Sequence, residues 1–204
     1  GSLAIARVDE NTARLGEAGN RCETDKLLDL KALPPMAQSL ICLKCHTSAS
    51  TPNLTFWNSS DHAVNDVSCF DCHKLHRGPR QKPSRTEMAT ICYGCHPEVK
   101  QEFSLVSHHP INEGKLACTD CHDIHGSRQD HLLKGLTPKN TCTRCHMDKQ
   151  GPFVYEHGDV TENCGNCHSP HGAPFSPLLQ VSLPFLCLQC HGGHTALSSP
   201  SGFK

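Results

Sequence analysis

The chain has few aromatic residues, no long apolar run and no large excess of charge of either sign. With 7 Phe, 2 Tyr and 1 Trp among 204 residues, and a hydrophobic fraction of 36%, it lacks the bulky side chains that build a large core. No apolar stretch reaches the roughly 18 residues of a membrane-spanning helix, so no transmembrane segment is expected. Its 19 Lys and Arg nearly balance 20 Asp and Glu, and no basic patch carries interleaved aromatics. That excludes an evident nucleic-acid surface. Gly1 and Ser2 open the chain without a basic region and apolar stretch, so the expectation is that a signal peptide was removed or never present, and these two residues read either as native or as an expression scar.

What the chain has instead is 15 Cys and 16 His. Fourteen of the cysteines fall in seven C-x-x-C-H units: Cys42, Cys45, His46; Cys69, Cys72, His73; Cys92, Cys95, His96; Cys118, Cys121, His122; Cys142, Cys145, His146; Cys164, Cys167, His168; and Cys187, Cys190, His191. Cys22 alone lies outside them and reads as a diverged or buried thiol. Two thiols at this spacing suit thioether attachment of one c-type haem, and the adjoining histidine suits its iron as an axial ligand. A disulfide scaffold needs no histidine after every second cysteine. Structural zinc, needing a fourth ligand at each site, is the main competitor for one unit, but seven copies of the pattern favour haem. Thioredoxin-like chemistry uses one reactive pair in a specific fold rather than an array. The expected cofactors are therefore seven covalently bound c-type haems, attached through the fourteen cysteines and ligated proximally by His46, His73, His96, His122, His146, His168 and His191.

The units form a longer repeat. Those opening at Cys42, Cys92 and Cys142 stand 50 residues apart, and the intervening ones at Cys69, Cys118 and Cys164 carry a further histidine three residues on, His76, His125 and His171. Histidine also precedes the second unit of each pair, at His62, at His108 and His109, and at His157. The last unit, at Cys187, is followed by His194. Nine histidines, His62, His76, His108, His109, His125, His131, His157, His171 and His194, are thus candidate distal ligands, enough for every iron to be bis-His.

From His168 to His171 the extended chain reaches only about 10 Å, too little to pass comfortably around a porphyrin edge. His171 is therefore expected to ligate a neighbouring haem. Following the repeat, His76, His125 and His171 are assigned to the haems at Cys42, Cys92 and Cys142. His62, His109 and His157 go to the haems of their own downstream units, at Cys69, Cys118 and Cys164. The seventh haem has His131 and His108 as donors, and His194 is available to another site. His131 reads equally well as an ordinary loop histidine.

Secondary structure looks subordinate to this array. Residues 22–33 have helical leucine spacing ended by Pro34 and Pro35, and residues 97–109 read as a helix bounded by Pro97 and Pro110. The connections are rich in Gly, Pro and polar residues, and no strong sheet pattern is visible. The expected fold class is a multihaem cytochrome c of mostly short helices and irregular loops wrapped around an elongated haem array, with little or no sheet. Residues 1–41 form an N-terminal segment with a short helix and no haem motif. Residues 42–204 form a heptahaem region of paired repeats (42–76, 92–125, 142–171) plus a last unit (187–194).

The stretches 108–126 and 155–191, with the phrase C-x-x-C-H-x-x-H-G and the run "FLCLQCH", resemble the periplasmic multihaem c-type cytochromes of bacterial outer-membrane electron conduits, the MtrA/DmsE group. They are also similar, more distantly, to the pentahaem NrfB family. This resemblance implies an exported wire of bis-His haems conducting electrons by hopping, in anaerobic respiration or extracellular electron transfer. It further implies redox protein partners, among them an outer-membrane porin or an extracellular cytochrome, and a periplasmic, outer-membrane-associated or extracellular location. The family typically has ten haems, and this chain has seven motifs. Two other readings stand beside the wire: a multihaem oxidoreductase with one open-site catalytic haem, and a self-associating subunit of an extracellular filament. A protein without its own substrate site is the favoured expectation, because bis-His ligation closes both axial positions.

Overall fold

The computed structural model describes residues 29–46, 49–73, 83–158 and 161–192, together with the backbone of three short N-terminal strands. These strands, β1 (Ile5–Arg7), β2 (Thr12–Leu15) and β3 (Asn20–Glu23), form an antiparallel meander in sequence order. Cys22 pairs with Ala13 in its register. Of the helix expected over 22–33, the start is a strand and Leu30–Ala32 is a 3-10 turn, while residues 24–28 lie outside the described residues. Pro34 and Pro35 do not stop a helix but begin one. Pro35 takes the first position of α1 (Pro35–Leu43), where a missing N–H costs nothing.

The two kinds of haem-motif unit have different local structures. Those at Cys42, Cys92, Cys142 and Cys187 sit at the C-terminal ends of α1, α4 (Arg85–Tyr93), α7 (Pro138–Thr143) and α8 (Phe185–Leu188). Each of the first three has a clear start signal. Pro35 and Pro138 occupy first turns, and Thr137 caps α7 by accepting from Asn140 N–H. At α4 the Ser84 hydroxyl accepts from Glu87 N–H while Glu87 accepts from Ser84 N–H at 2.7 Å, a reciprocal cap that holds the Glu87 carboxyl below its usual range.

The other units lie on single turns: α3 (Cys69–Cys72), α6 (Cys118–Cys121) and a 3-10 turn at Cys164–Asn166. Asp71 and Asp120 reach back to the N–H groups of Ser68 and Ala117, at 2.7 and 2.9 Å, closing α3 and α6. In the third turn Asn163 accepts from Gly165 N–H. Two further turns, α2 (Asp61–Val64) and α5 (Pro97–Glu102), precede second units. The helix expected over 97–109 stops at Glu102, and the chain continues into β4 (Ser107–His108), which pairs antiparallel with β5 (Gly172–Ala173).

Among the described residues the buried apolar side chains are Trp57, Ala89, Phe103, Ile111, Ala117, Leu132 and Ala173. Ala89, Phe103 and Ile111 pack together with Tyr93, Val99 and Leu116 at the sides. By contrast Leu40, Ile41, Ile91 and Phe185, on the helices that carry cysteines, are exposed. Mostly short helices and loops with little sheet, wrapped around little apolar side-chain volume, is the architecture. No helix among the described residues is long and apolar enough to cross a membrane.

The loops after the second units repeat in detail. His122 bridges Leu133, and His168 bridges Leu179, with Leu132 and Leu178 both in the left-handed region at φ 56° and 57°. In each case the glycine after the second histidine lies on backbone from the preceding pair, Gly126 on Phe56 and Gly172 on Glu102. Gly126 has φ 122°, and a Cβ there would stand 2.5 Å from the Phe56 carbonyl oxygen. Gly126→Ala is therefore expected to destabilise the haem-loaded protein by about 2 kcal/mol or more, from strain and clash together. Thermal unfolding checks this; an unchanged Tm would mean that Phe56 does not constrain the loop.

Candidate haem centres

Every C-x-x-C-H unit closes with the same backbone bond, whichever local structure carries it. The histidine N–H donates to the carbonyl of the first cysteine in all seven, at 2.8 to 3.1 Å. This local bond sets the two thiols and the imidazole side by side, as attachment to one ring requires.

The cysteines also approach one another between units. The thiols of Cys42 and Cys69, Cys92 and Cys118, and Cys142 and Cys164 lie close enough to shift one another's ionisation. Burial is the leading cause pushing the Cys42 and Cys142 thiols up, whereas at Cys92 the hydrogen bond with Cys118 leads. Second cysteines sense each other across the alternate junctions. Cys72 is raised by burial, then by Asp71 and Cys95; Cys121 by burial, then by Asp120 and Cys145.

Five proximal histidines each face one of the nine candidate distal histidines. Ring centres of His73 and His125 stand 6.0 Å apart and stack at 13°. The other separations are 6.4 Å for His62 and His96, 6.2 Å for His109 and His146, 6.1 Å for His122 and His171, and 5.9 Å for His157 and His191. Two imidazoles bonded to one metal from opposite sides, each at about 2 Å, have ring centres about 6 Å apart. The donor set therefore fits haem iron in both chemistry and spacing.

These pairs differ from those inferred from the order of the repeat. His62, His109 and His157 face the first histidine of the following pair, or of the last unit, rather than their own downstream unit. His125 and His171 face the second histidine of the preceding pair, His73 and His122, rather than His96 and His146. The ring facing the seventh unit's His191 is His157, where His131 and His108 were the expected donors. The cause is the use made of the linkers. The seven residues from His62 to Cys69 are spent on α2, a turn closed by Val67 N–H on the His62 carbonyl, and the start of α3, so they do not wrap a ring.

Hydrogen bonds at Nδ1 orient several of these rings and leave Nε2 for a metal. His122 and His168 donate to carbonyls nine residues on, those of His131 and Pro177, at 2.7 and 2.8 Å. His62 and His109 donate to the carbonyls of Ile124 and Pro170, at 3.0 and 2.5 Å. These partners recur at matching positions in successive pairs, and the β4–β5 ladder is what brings Pro170 to His109. His125 Nδ1 lies 3.2 Å from the Asn53 side-chain amide, and His171 Nδ1 lies 2.9 Å from Glu102 Oε2. Burial leads in lowering the pKa of His122 and of His125, which favours the neutral imidazole a metal needs.

The remaining candidates have other places. His108 uses both nitrogens, Nδ1 on the Leu105 carbonyl at 2.6 Å and Nε2 on Glu113 at 3.1 Å, and the Glu113 bond leads in raising its pKa. His131 contributes its carbonyl, in a position that Pro177 fills in the next repeat. His46 and His168 face no histidine ring among the described residues. His76 and His194 lie outside the described residues. Sequence reading missed Asn53 and Glu102, which no motif marks and which stand 72 and 69 residues from the histidines they meet.

A family model described as the doubled CXXCH motif matches residues 62–101, 108–151 and 157–196. Each match holds one ring pair, His62 with His96, His109 with His146, and His157 with His191. The chain is also 37% identical, over 161 residues, to a protein of Shewanella baltica (strain OS185) named multiheme cytochrome MtrA, covering 78% of this chain and 47% of that one. It thus spans about half the length of the curated relative it matches. Three doubled motifs correspond to at least six haem sites. With matching attachment turns, facing imidazoles and matched segments over more than half its length, the chain belongs to the doubled-CXXCH family of multihaem c-type cytochromes.

Proposed function

We propose that the protein is an exported heptahaem electron-transfer cytochrome that conducts electrons along a continuous series of bis-His haems. The observation that carries this reading is the set of five facing imidazole pairs, each joining two different attachment units. Cys42 and Cys69, Cys92 and Cys118, and Cys142 and Cys164 lie close enough to affect one another, so the haems they would carry adjoin in one frame, while the ring pairs join units in another. Overlap of the two frames leaves no junction uncoupled.

When bound, the haems supply one-electron ferric–ferrous chemistry. The polypeptide would fix their order, hold their irons through paired imidazoles and set their surroundings. His125, His62, His171, His109 and His157 would hold haem iron together with His73, His96, His122, His146 and His191, the rings they face. His76 and His194 are the histidines left for the irons of His46 and His168. Export follows from covalent haem attachment, which in bacteria takes place outside the cytoplasm. Resemblance to the conduit cytochromes supports a periplasmic carrier that meets redox proteins, among them a porin-held conduit. Residues 42–204 act as one wire-forming region.

Intact mass tests the cofactor count. A gain of about seven haem masses, roughly 4.3 kDa, is expected, with low-spin ferric spectra dominating. A zinc adduct, or a mass without haem after expression with the maturation machinery, would end this reading.

A further inference from the structure

The two second-unit loops described after His122 and His168 repeat closely, yet their tails meet different chemistry. Gly126 rests on the Phe56 backbone and Gly172 on the Glu102 backbone, and the next residue of each linker, Trp57 or Phe103, lies against the distal histidine. Both aromatics are buried, so the two sites are framed alike. At the place where one pair has Phe56, the next has Glu102. His125 Nδ1 meets the neutral side-chain amide of Asn53, placed with Nδ2 at 3.2 Å, whose Oδ1 would accept from Nδ1–H after an amide flip when the ring ligates through Nε2, whereas His171 Nδ1 donates to a carboxylate at 2.9 Å.

We propose that Glu102 is a positioning and tuning residue for the haem at Cys118 and Cys121, and that it holds that haem at a lower reduction potential than its counterpart at Cys69 and Cys72. This rests on the bis-His reading above. A full negative charge on the Nδ1–H draws the proton away from the ring and makes Nε2 a stronger donor, which favours ferric over ferrous iron. An amide at the same nitrogen does so less. No atom is transferred; only the balance of the one-electron couple changes. Two haems with the same ligands and similar aromatic walls are thereby set at different levels. Electrons moving along the series meet a step placed by one side chain.

The Glu102 and His171 side chains are 42% and 32% exposed, so solvent weakens the effect without removing it. Glu102→Gln keeps the shape and removes the charge. In a spectroelectrochemical titration of the holoprotein, one haem's share of the amplitude is expected to move to higher potential, changing its ferric-to-ferrous ratio about threefold to tenfold at fixed potential; tenfold is about 59 mV for a one-electron couple. Asn53→Asp is expected to move a different haem the opposite way. A merely structural Glu102 predicts lower thermal stability with all potentials unchanged, and that result would overturn the proposal. His171→Ala separates the two levels of inference. If it leaves every haem low-spin, the ligand reading itself is wrong; if it creates one high-spin haem while Glu102→Gln moves no potential, the tuning role alone fails.

Discussion

With its fourteen motif cysteines replaced by serine, the chain is expected to lose its folded state altogether. Among the described residues only seven apolar side chains are buried, and three of them are alanines. Burying about 200 Å² of apolar surface against each macrocycle is worth roughly 5 kcal/mol at the usual area coefficient. That is comparable with the whole net stability of a small domain. Exposed Leu40, Ile41, Ile91 and Phe185 beside the attachment cysteines are the surfaces that gain this cover. Without it the helices α1, α4 and α7, each under ten residues, have too little length to persist alone. Far-ultraviolet circular dichroism and limited proteolysis should therefore show a disordered, rapidly cut chain with no cooperative melt. A sharp thermal transition in the cysteine-free protein would show that the polypeptide core suffices, and would remove the haems from the folding account.

That dependence explains which features were legible before folding was considered. The attachment units are local: two thiols and an imidazole within five residues, closed by one backbone bond, so spacing alone reveals them. The alternation of two unit types was visible as well, and it corresponds to a real difference between helix ends and single turns. Ring partners were not legible, because the order of a repeat suggests ligation by the nearest spare histidine. In the folded chain the segment before a second unit instead lies against the loop after the next one, as β4 against β5 shows. Prolines misled for a simpler reason. Pro35 suits a helix start as well as a stop, and only the direction of the following Gln38 bonds, to the Leu33 carbonyl and from the Ser68 hydroxyl, selects the start. Glu102 ends α5 where its carbonyl must accommodate Gly172, a contact no periodicity encodes.

The ligand register leads to the second large effect. His109→Ala is expected to convert one haem from low-spin to high-spin and to let it bind carbon monoxide when reduced, with the rest unaffected. The 6.2 Å spacing from His146 assigns that change to the haem at Cys142 and Cys145, whereas the linear order of the repeat assigns it to the haem at Cys118 and Cys121. Deleting one attachment site at a time separates the assignments. In a background with Cys142 and Cys145 replaced by serine, adding His109→Ala should create no new high-spin signal, because the iron it served is gone. In a background lacking Cys118 and Cys121 the signal should appear at the strength of one haem. The reverse pattern would restore the sequential register. A signal in both backgrounds would place His109 on neither iron, and the facing rings would then be packing partners rather than ligands. His108 provides the internal control. Its two nitrogens are already held by Leu105 and Glu113, so His108→Ala should leave the spin-state count unchanged.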